Sequence, residues 1–272
     1  MDLYYEESGP PAAPTIVFLH GGGGAGWMWQ PQVERLKDFH CIVPDLPEQG
    51  RSSEVKPFTI QSSAAQVAEL IQARAHFGKA TVVGLSEGAQ ITVALLAQAQ
   101  ELVERAIISS ALVRPIPGAG LLSPGLIRLF YGMFVSPFKN SAWWIRVNMK
   151  YAAGVPEKFY PQFRGSFQEL TKDAFTNVMI ENQRFRIPPG LESVQTPTLI
   201  VLGKGEYAAM RRSARDLAAI LPAGEACEVV HPRRMSLAEQ HTWNMTAPEL
   251  FTQMVRAWIA GQALPVELQP VP

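Results

Sequence analysis

The sequence predicts an α/β protein with a doubly wound, mainly parallel sheet. Short apolar runs typical of strands alternate with helix-like segments along most of the chain. The strand-like runs are almost continuously apolar instead of alternating, as in strands that are covered on both faces. These runs occupy residues 15–19, 40–43, 81–85, 106–108, 198–202 and 227–230. Helices are expected between them over residues 32–37, 60–75, 87–98 and 248–259.

Composition and charge limit the class of protein. The chain has 272 residues, of which 47% are hydrophobic and 18% charged, so it can bury a full core and is not a disordered chain. Its length suits one large domain, or one domain that carries an inserted subdomain. The 24 basic and 24 acidic residues give a formal net charge of +0, without blocks of like charge. We therefore expect neither nucleic acid nor an anionic membrane surface as a partner.

Cysteine content and the N-terminus bear on compartment and cofactors. Cys41 and Cys227 each lie in a strand-like run, which predicts buried reduced thiols. Neither CxxC nor HExxH occurs, so no metal and no other cofactor is expected. The N-terminus lacks the basic and apolar regions of a secretory signal, which predicts a cytoplasmic protein, although a trimmed secreted protein would look the same. The apolar stretch 125–138 contains Arg128 and Pro137 and is too short to span a bilayer, so stable membrane insertion is not expected.

The stretch 113–188 interrupts the alternation of strands and helices. It is rich in aromatic, leucine and methionine residues, including Leu121 and Leu122, and shows no β-type alternation. We interpret it as a helical cap inserted into a core made of residues 1–112 and 189–272; the alternative is a helical subdomain that packs only on itself. An insertion after a strand lies at the carboxyl edge of the sheet, where open α/β folds bind ligands. The tail, 262–272, contains three prolines and is expected to be loose.

A candidate nucleophile lies in Gly84-Leu85-Ser86-Glu87-Gly88, which matches G-x-S-x-G. The motif alone is weak, but a predicted strand precedes it and a predicted buried helix follows it, as a nucleophile elbow requires. Such a turn holds the serine Oγ at the sheet edge beside a helix N-terminus, where amide dipoles favour a developing anion. The alternative is that Ser86 only caps the helix.

A glycine cluster follows the first apolar strand, in His20-Gly21-Gly22-Gly23-Gly24. A P-loop is excluded because no Lys-Ser/Thr follows, and the dinucleotide-binding pattern fits poorly. Beside an elbow, the cluster is better interpreted as an oxyanion loop, with the backbone N–H groups of Gly22 and of Glu87 as donors. His20 is expected to brace this loop. Trp27 and Trp29 are expected either to pack under the cap or to line the pocket.

These motifs together resemble the α/β-hydrolase family, in its cap-bearing branch of serine esterases, lactonases and C–C hydrolases. The resemblance rests on residues 20–27, 45–52, 84–88 and 241–249, which span nearly the whole core in the expected order, whereas the cap has no recognisable match. Two departures stand out. The family's usual Pro-Gly-His-Gly is Pro47-Glu48-Gln49-Gly50 here, and its triad aspartate is replaced by a glutamate.

The resemblance implies a base and an acid for Ser86. The family's base follows the last strand of the core, which favours His241 and leaves His231 as the alternative. Its carboxylate lies three residues after the glycine that ends an earlier strand, which is Glu206 here; Asp216 and Glu239 are less suitable rivals. The order Ser86, Glu206, His241 is the order of the fold. A surface location without function remains open for either histidine.

We therefore expect a carboxylesterase-type serine hydrolase that acts on small to medium apolar esters through an acyl-enzyme on Ser86. A lactonase or a C–C bond hydrolase would use the same triad. A ligand receptor with this fold and slow turnover is a further alternative, and weak turnover together with tight binding of one ligand would favour it. The expected partner is a small-molecule ester, and the expected assembly is a monomer or homodimer.

Overall fold

A mostly parallel sheet forms the centre of the computed structural model, which describes residues 2–115, 118, 123–231 and 233–271. Leu121 and Leu122 of the predicted cap lie outside the described residues. Within the described part of the chain the sheet has eight strands. They are β1 Tyr5–Ser8, β2 Thr15–Leu19, β3 His40–Pro44, β4 Ala80–Leu85, β5 Val103–Ser109, β6 Thr198–Gly203, β7 Gly224–Val229 and β8 Leu268–Pro270.

The strand order is β1-β3-β2-β4-β5-β6-β7-β8. The six central strands are parallel, and only the two edge strands of the described sheet, β1 and β8, run antiparallel to their neighbours. The chain therefore leaves the centre in both directions, which confirms the predicted doubly wound, mainly parallel α/β fold. The carboxyl ends of β2, β4, β5 and β6 meet at one edge of the sheet, where such folds bind ligands.

Helices cover both faces of the sheet or follow its strands. They are α1 Gln30–Val33, α2 Ile60–Arg74, α3 Glu87–Ala99, α4 Pro124–Phe130, α5 Ala142–Val147, α6 Tyr160–Glu169, α7 Lys172–Arg184, α8 Ala208–Ile220, α9 Leu237–His241, α10 Trp243–Thr246 and α11 Pro248–Ala260.

Alternation along the central strands divides the core into two layers. In β2, the side chains of Val17 and Leu19 belong to the buried cluster that includes residues of α2, α3 and α8, whereas those of Ile16 and Phe18 belong to the cluster that includes Trp29 and residues of α11. Because successive strand side chains point to opposite faces, a continuously apolar strand serves both layers. Helix α3 is buried over most of its length, as its apolar sequence predicts.

Helices α4 to α7 lie between β5 and β6, in the segment predicted to be a cap. Helix α5 continues into a π-helical turn, Asn148–Ala152, that returns the chain toward the sheet edge. Ser123, Ser141 and Thr171 cap the N-termini of α4, α5 and α7 through hydroxyl oxygens that accept backbone N–H bonds. No β-strand interrupts the described residues of this segment, in keeping with its sequence pattern; the division of the chain into core and cap stays a prediction.

Several expectations from the sequence were wrong in detail. The tail is not loose throughout, because Leu268–Pro270 pairs with β7. The helix expected over 32–37 is Gln30–Val33, with Pro31 in the first turn, where the missing N–H costs nothing. Strand β1 was not predicted, since its sequence Tyr-Glu-Glu-Ser is short and polar.

Cys41 and Cys227 are free and buried, as expected.

One further observation concerns the membrane. The described helices include none with the length and apolar character needed to cross a bilayer.

Candidate active site

Ser86 occupies a strained turn between β4 and α3. Its backbone has φ 55° and ψ −110°, a conformation that a non-glycine residue adopts only when the surrounding structure enforces it. The turn is enforced by hydrogen bonds on both sides. The Ser86 amide donates to the carbonyl of Ser109 at 2.8 Å, and the Gly88 amide donates to the carbonyl of His20 at 3.1 Å. Strand, turn and helix are therefore arranged as the G-x-S-x-G context predicts.

The two motif glycines are required by close backbone approach. A Cβ atom on Gly84 would lie 2.3 Å from the carbonyl oxygen of Gly88. A Cβ atom on Gly88 would lie 2.2 Å from the carbonyl oxygen of Leu19. No real side chain tolerates such distances from backbone atoms, so α3 can start this close to β2 and β4 only with glycine at both positions.

His241 and Glu206 meet at the same edge of the sheet. Glu206 follows β6 and is buried, with 4% of its surface exposed. His241 ends the short helix α9. Its Nδ1 atom lies 3.6 Å from Oε2 of Glu206, and among the described residues neither atom has a hydrogen-bond partner. The separation is longer than a hydrogen bond, but it directs the two groups at one another.

The Glu206 carboxylate controls the proton affinity of His241. Burial by itself lowers the pKa of the imidazole, but the carboxylate of Glu206 that faces it outweighs burial and raises that pKa above its ordinary value. A histidine with this partner is stabilised as imidazolium. It is thus suited to accept a proton from a neighbouring hydroxyl.

Glu206 is itself held by residues that the sequence analysis missed. The Ser110 hydroxyl donates to Oε1 of Glu206 at 2.6 Å, and the Gly203 amide approaches the same oxygen at 3.5 Å. Ser110 has φ 59° and is 2% exposed. The available signal was a pair of serines, Ser109 and Ser110, directly after the apolar run of β5, at the edge where site residues collect.

The rival residues lie elsewhere. His231 packs edge-on against the ring of Trp243, with centroids 6.1 Å apart, and does not line the cavity described below. Burial lowers its pKa. Asp216 forms an ion pair with Arg114 on the surface of α8. Glu239 completes a capping box with Ser236 at the start of α9.

The glycine loop after β2 lies against the elbow. His20 is fully buried, and its Nε2 accepts a hydrogen bond from the Leu46 amide at 2.9 Å, so it braces the loop as expected. In the described part of the chain, no acceptor is found for the backbone N–H groups of Gly22 and Glu87. Two unsatisfied N–H groups beside a serine form the kind of pocket that holds an oxyanion.

The Glu87 side chain lies beneath this loop and is fully buried. Its Oε1 accepts a hydrogen bond from Nε2 of Gln49 at 2.7 Å, and Oε1 of Gln49 accepts one from the Gly23 amide at 2.6 Å. Burial raises the pKa of the Glu87 carboxyl to about 8, with the nearby Glu181 charge acting in the same direction and the Gln49 hydrogen bond against it. Sequence reasoning assigned Glu87 a backbone role only.

A cavity of about 400 Å³ lies beside Ser86. Ser86, His241 and the glycine loop are among the residues that line it. The remaining walls are mainly apolar: they include Trp27, Met28, Val155, Phe163, Phe167, Leu170, Phe175, Val178 and Met179. Trp27 therefore lines the cavity, and its Nε1 donates to the Ser166 hydroxyl of α6 at 3.0 Å, whereas Trp29 is fully buried in the core.

Across residues 2–115, 118, 123–231 and 233–271, no cluster of three or more His, Cys, Asp or Glu side chains could hold a metal ion.

Comparisons with known proteins agree with this architecture. The model of the alpha/beta hydrolase family matches residues 16–264. An AB hydrolase superfamily protein of Gibberella zeae is 29% identical over 99% of this chain and 88% of its own. A Serratia proteamaculans protein provisionally named a carbamate hydrolase is 27% identical over 98% of this chain and 100% of its own.

Solved structures show the same fold. The enol-lactonase of Burkholderia xenovorans LB400 superposes with a TM-score of 0.75 at 22% identity, covering 95% of this chain and 96% of its own. A thermophilic esterase of Thermogutta terrifontis gives a TM-score of 0.71 at 21% identity, with 95% and 93% covered. Because the family match extends over nearly the whole chain, this protein belongs to the alpha/beta hydrolase family of enzymes.

Proposed function

We propose that this hydrolase cleaves carboxylic esters of small to medium apolar substrates through an acyl-enzyme on Ser86. In this mechanism His241 accepts the Ser86 proton while Oγ attacks the ester carbonyl carbon, and Glu206 stabilises the imidazolium. The amides of Gly22 and Glu87 hold the oxyanion. His241 then protonates the departing alcohol, and a water activated by His241 releases the acid and restores Ser86.

The proposal rests chiefly on one observation. The strained Ser86 and His241 line the same cavity, and the Nδ1 atom of His241 is directed at a buried carboxylate. This arrangement supports the proposal, because a nucleophile, a base and an orienting acid are the parts by which triads are recognised irrespective of sequence position. The amides of Gly22 and Glu87, for which the described part of the chain has no acceptor, support an oxyanion pocket as the fourth component.

The cavity supports the substrate class. Its volume of about 400 Å³ is at the small end of the range for ligand sites. Of the described residues that line it, His241 alone has an ionisable side chain, so a charged substrate would lose hydration without gaining an ion pair. The side chains of Asn148 and Thr242 offer polar contacts beside the apolar walls. Neutral esters with an apolar acyl or alcohol group fit these surroundings.

Carbamates form a second candidate class. The similarity to the Serratia proteamaculans protein spans almost the entire chain, and its name refers to carbamate hydrolysis. Attack on a carbamate carbonyl would use the same serine, base and oxyanion pocket. Lactones, as cyclic esters, would be cleaved by the same steps.

The test is hydrolysis of a p-nitrophenyl ester series from acetate to laurate, alongside neutral lactones, aryl carbamates and an anionic ester such as a hemisuccinate. We expect kcat/KM to be highest for a neutral ester. It should fall by roughly tenfold or more for the anionic ester, because burying a charged group without a partner costs free energy on at least that scale. Ser86→Ala should abolish turnover, and Ser193→Ala, on an exposed turn, should not. Turnover confined to carbamates would replace the ester proposal, and turnover retained by Ser86→Ala would refute the mechanism.

A further inference from the structure

Gln49 and Glu87 come from separate parts of the sequence and meet under the proposed oxyanion loop. Gln49 lies in the segment 47–50 that departs from the pattern of the family, and Glu87 directly follows the nucleophile. Both side chains are buried, with 4% and 0% of their surfaces exposed. Buried polar side chains are costly unless they are hydrogen-bonded, so their pairing calls for a structural explanation.

The hydrogen bonds run in one direction. The Gly23 amide can only donate, so the Gln49 atom facing it at 2.6 Å is the carbonyl Oε1. The Nε2 group of Gln49 therefore faces Glu87 and donates to its Oε1 at 2.7 Å. Through Gln49, the Glu87 side chain is thus linked to the backbone of the glycine loop.

The second carboxyl oxygen lies beside Gly22. A Cβ atom built on Gly22 would be 3.0 Å from Oε2 of Glu87, so the carboxyl group packs directly against the backbone whose N–H would hold the oxyanion. Within the described residues Oε2 has no hydrogen-bond partner. One donated hydrogen bond is too little to hold a fully buried carboxylate charge, so this geometry favours the neutral acid.

We propose that Glu87 is a positioning residue for the oxyanion pocket: its neutral carboxyl group fixes the Gly22–Gly23 turn through Gln49, and its ionisation limits activity at alkaline pH. The inference deepens the proposed function and rests on it. An anionic Glu87 would place negative charge beside the position where negative charge develops in the transition state, and it would disturb the loop that carries the donor.

The charges around Glu87 are consistent with this role. The negative charge of Glu181 in α7 favours the neutral form of the Glu87 carboxyl group. In the neighbouring loop, Asp45 accepts two backbone N–H bonds and Glu48 accepts one backbone and one side-chain amide bond. Burial lowers the pKa of His20, whose Nε2 is already occupied as an acceptor. None of these groups supplies Glu87 with a cationic partner.

The experiment measures the rate constant for labelling of Ser86 by a fluorophosphonate as a function of pH, because phosphonylation uses the oxyanion pocket and does not depend on the natural substrate. For the wild type we expect the rate to fall roughly ten- to hundredfold between about pH 7 and about pH 9.5. A fall of this size does not exceed the decrease in rate that follows removal of one oxyanion donor. Glu87→Gln keeps an oxygen acceptor for Gln49 and cannot ionise. Its labelling rate should show no alkaline fall relative to its own rate at neutral pH.

Two further variants complete the test. Glu87→Met fills the space without accepting a hydrogen bond, so we expect roughly tenfold slower labelling at every pH. Glu104→Gln, an exposed site on β5, should reproduce the wild-type profile. An alkaline fall retained in Glu87→Gln, or full labelling of Glu87→Met, would overturn the positioning role while leaving the proposed serine mechanism intact. A folded wild type that is not labelled at any pH would refute the proposed function and this inference with it.

Discussion

Nδ1 of His241 and Oε2 of Glu206 face each other at 3.6 Å, and neither atom has a hydrogen-bond partner in the described part of the chain. The other oxygen of Glu206 is fixed by the Ser110 hydroxyl at 2.6 Å. The carboxylate is therefore anchored on one side and directed at the imidazole on the other. If Ser86 is the nucleophile, this pair sets both the orientation and the proton affinity of its base.

Glu206→Gln should lower kcat by a factor of about 10⁴, as in triads that lose their acid. It should also move the acidic limb of the profile of kcat/KM against pH. In the wild type the raised pKa of His241 requires a higher pH for the imidazole to be neutral. Without the Glu206 charge, burial dominates and the limb moves to lower pH. The matched control is Asp216→Asn, which removes a surface ion pair; a limb that does not move in Glu206→Gln would contradict the pairing.

The two histidines after β7 should differ sharply in importance. We expect His241→Gln to lower kcat by a factor of about 10⁴ or more, because no other residue in the described cavity wall has a side chain suited to accept the Ser86 proton. His231→Gln should retain activity within a few fold, since His231 packs against Trp243 and is absent from the cavity wall. Steady-state kinetics of both variants decide the point. The reverse ranking would transfer the proposed base role to His231.

A Cβ atom at Gly88 should disrupt the elbow. Gly88→Ala would bring that atom to 2.2 Å from the Leu19 carbonyl oxygen and push α3 away from the sheet. We expect a loss of at least about 2 kcal/mol in the free energy of unfolding. Gly165→Ala in α6 is the control, because nothing lies within 4 Å of its added Cβ and alanine favours a helix by about 1 kcal/mol. Urea unfolding of both variants measures the effect, and a Gly88→Ala as stable as wild type would show that the described turn is wrong.

Burial of Glu87 should make stability depend on pH. The pKa of its carboxyl is about 8 in the folded chain and lower when unfolded. Between these values the folded state retains a proton that the unfolded state has lost, so the free energy of unfolding falls as pH rises, by about 1.4 kcal/mol per unit. The fall should level off above about pH 8 and total several kcal/mol.

Urea titrations of wild type and Glu87→Gln at a series of pH values measure this contribution. Glu87→Gln has no proton to lose at this position, so its stability should vary less between about pH 5 and pH 8. Parallel curves for the two proteins would mean that Glu87 is ionised at neutral pH in the folded chain.

The sequence predicted those parts of the fold and candidate site that local patterns specify. The elbow around Ser86 combines a strand, a tight turn with two glycines and a buried helix within a short stretch, and each has its own sequence signature. Strand β8 was missed because its pairing with β7 depends on a contact between segments about forty residues apart, which no local pattern encodes.

Side-chain partnerships were harder to predict than positions. Ser110 and Gln49 each follow a predicted strand, but which side chain they contact depends on how loops from different strands meet at the sheet edge. The link between Gln49 and Glu87 joins residues 38 positions apart. Sequence reasoning noted the unusual Pro-Glu-Gln-Gly segment, and only the structure relates it to the nucleophile motif.

The most direct test of the central claim is to treat the folded wild type with a fluorophosphonate and map the adduct by peptide mass spectrometry. We expect one adduct per chain, on the peptide that contains Ser86, and none in Ser86→Ala. Labelling of His241→Gln should be slower by orders of magnitude, since its serine lacks the base. An adduct on another residue, or a folded wild type that does not react, would contradict the assignment of Ser86 as the activated nucleophile.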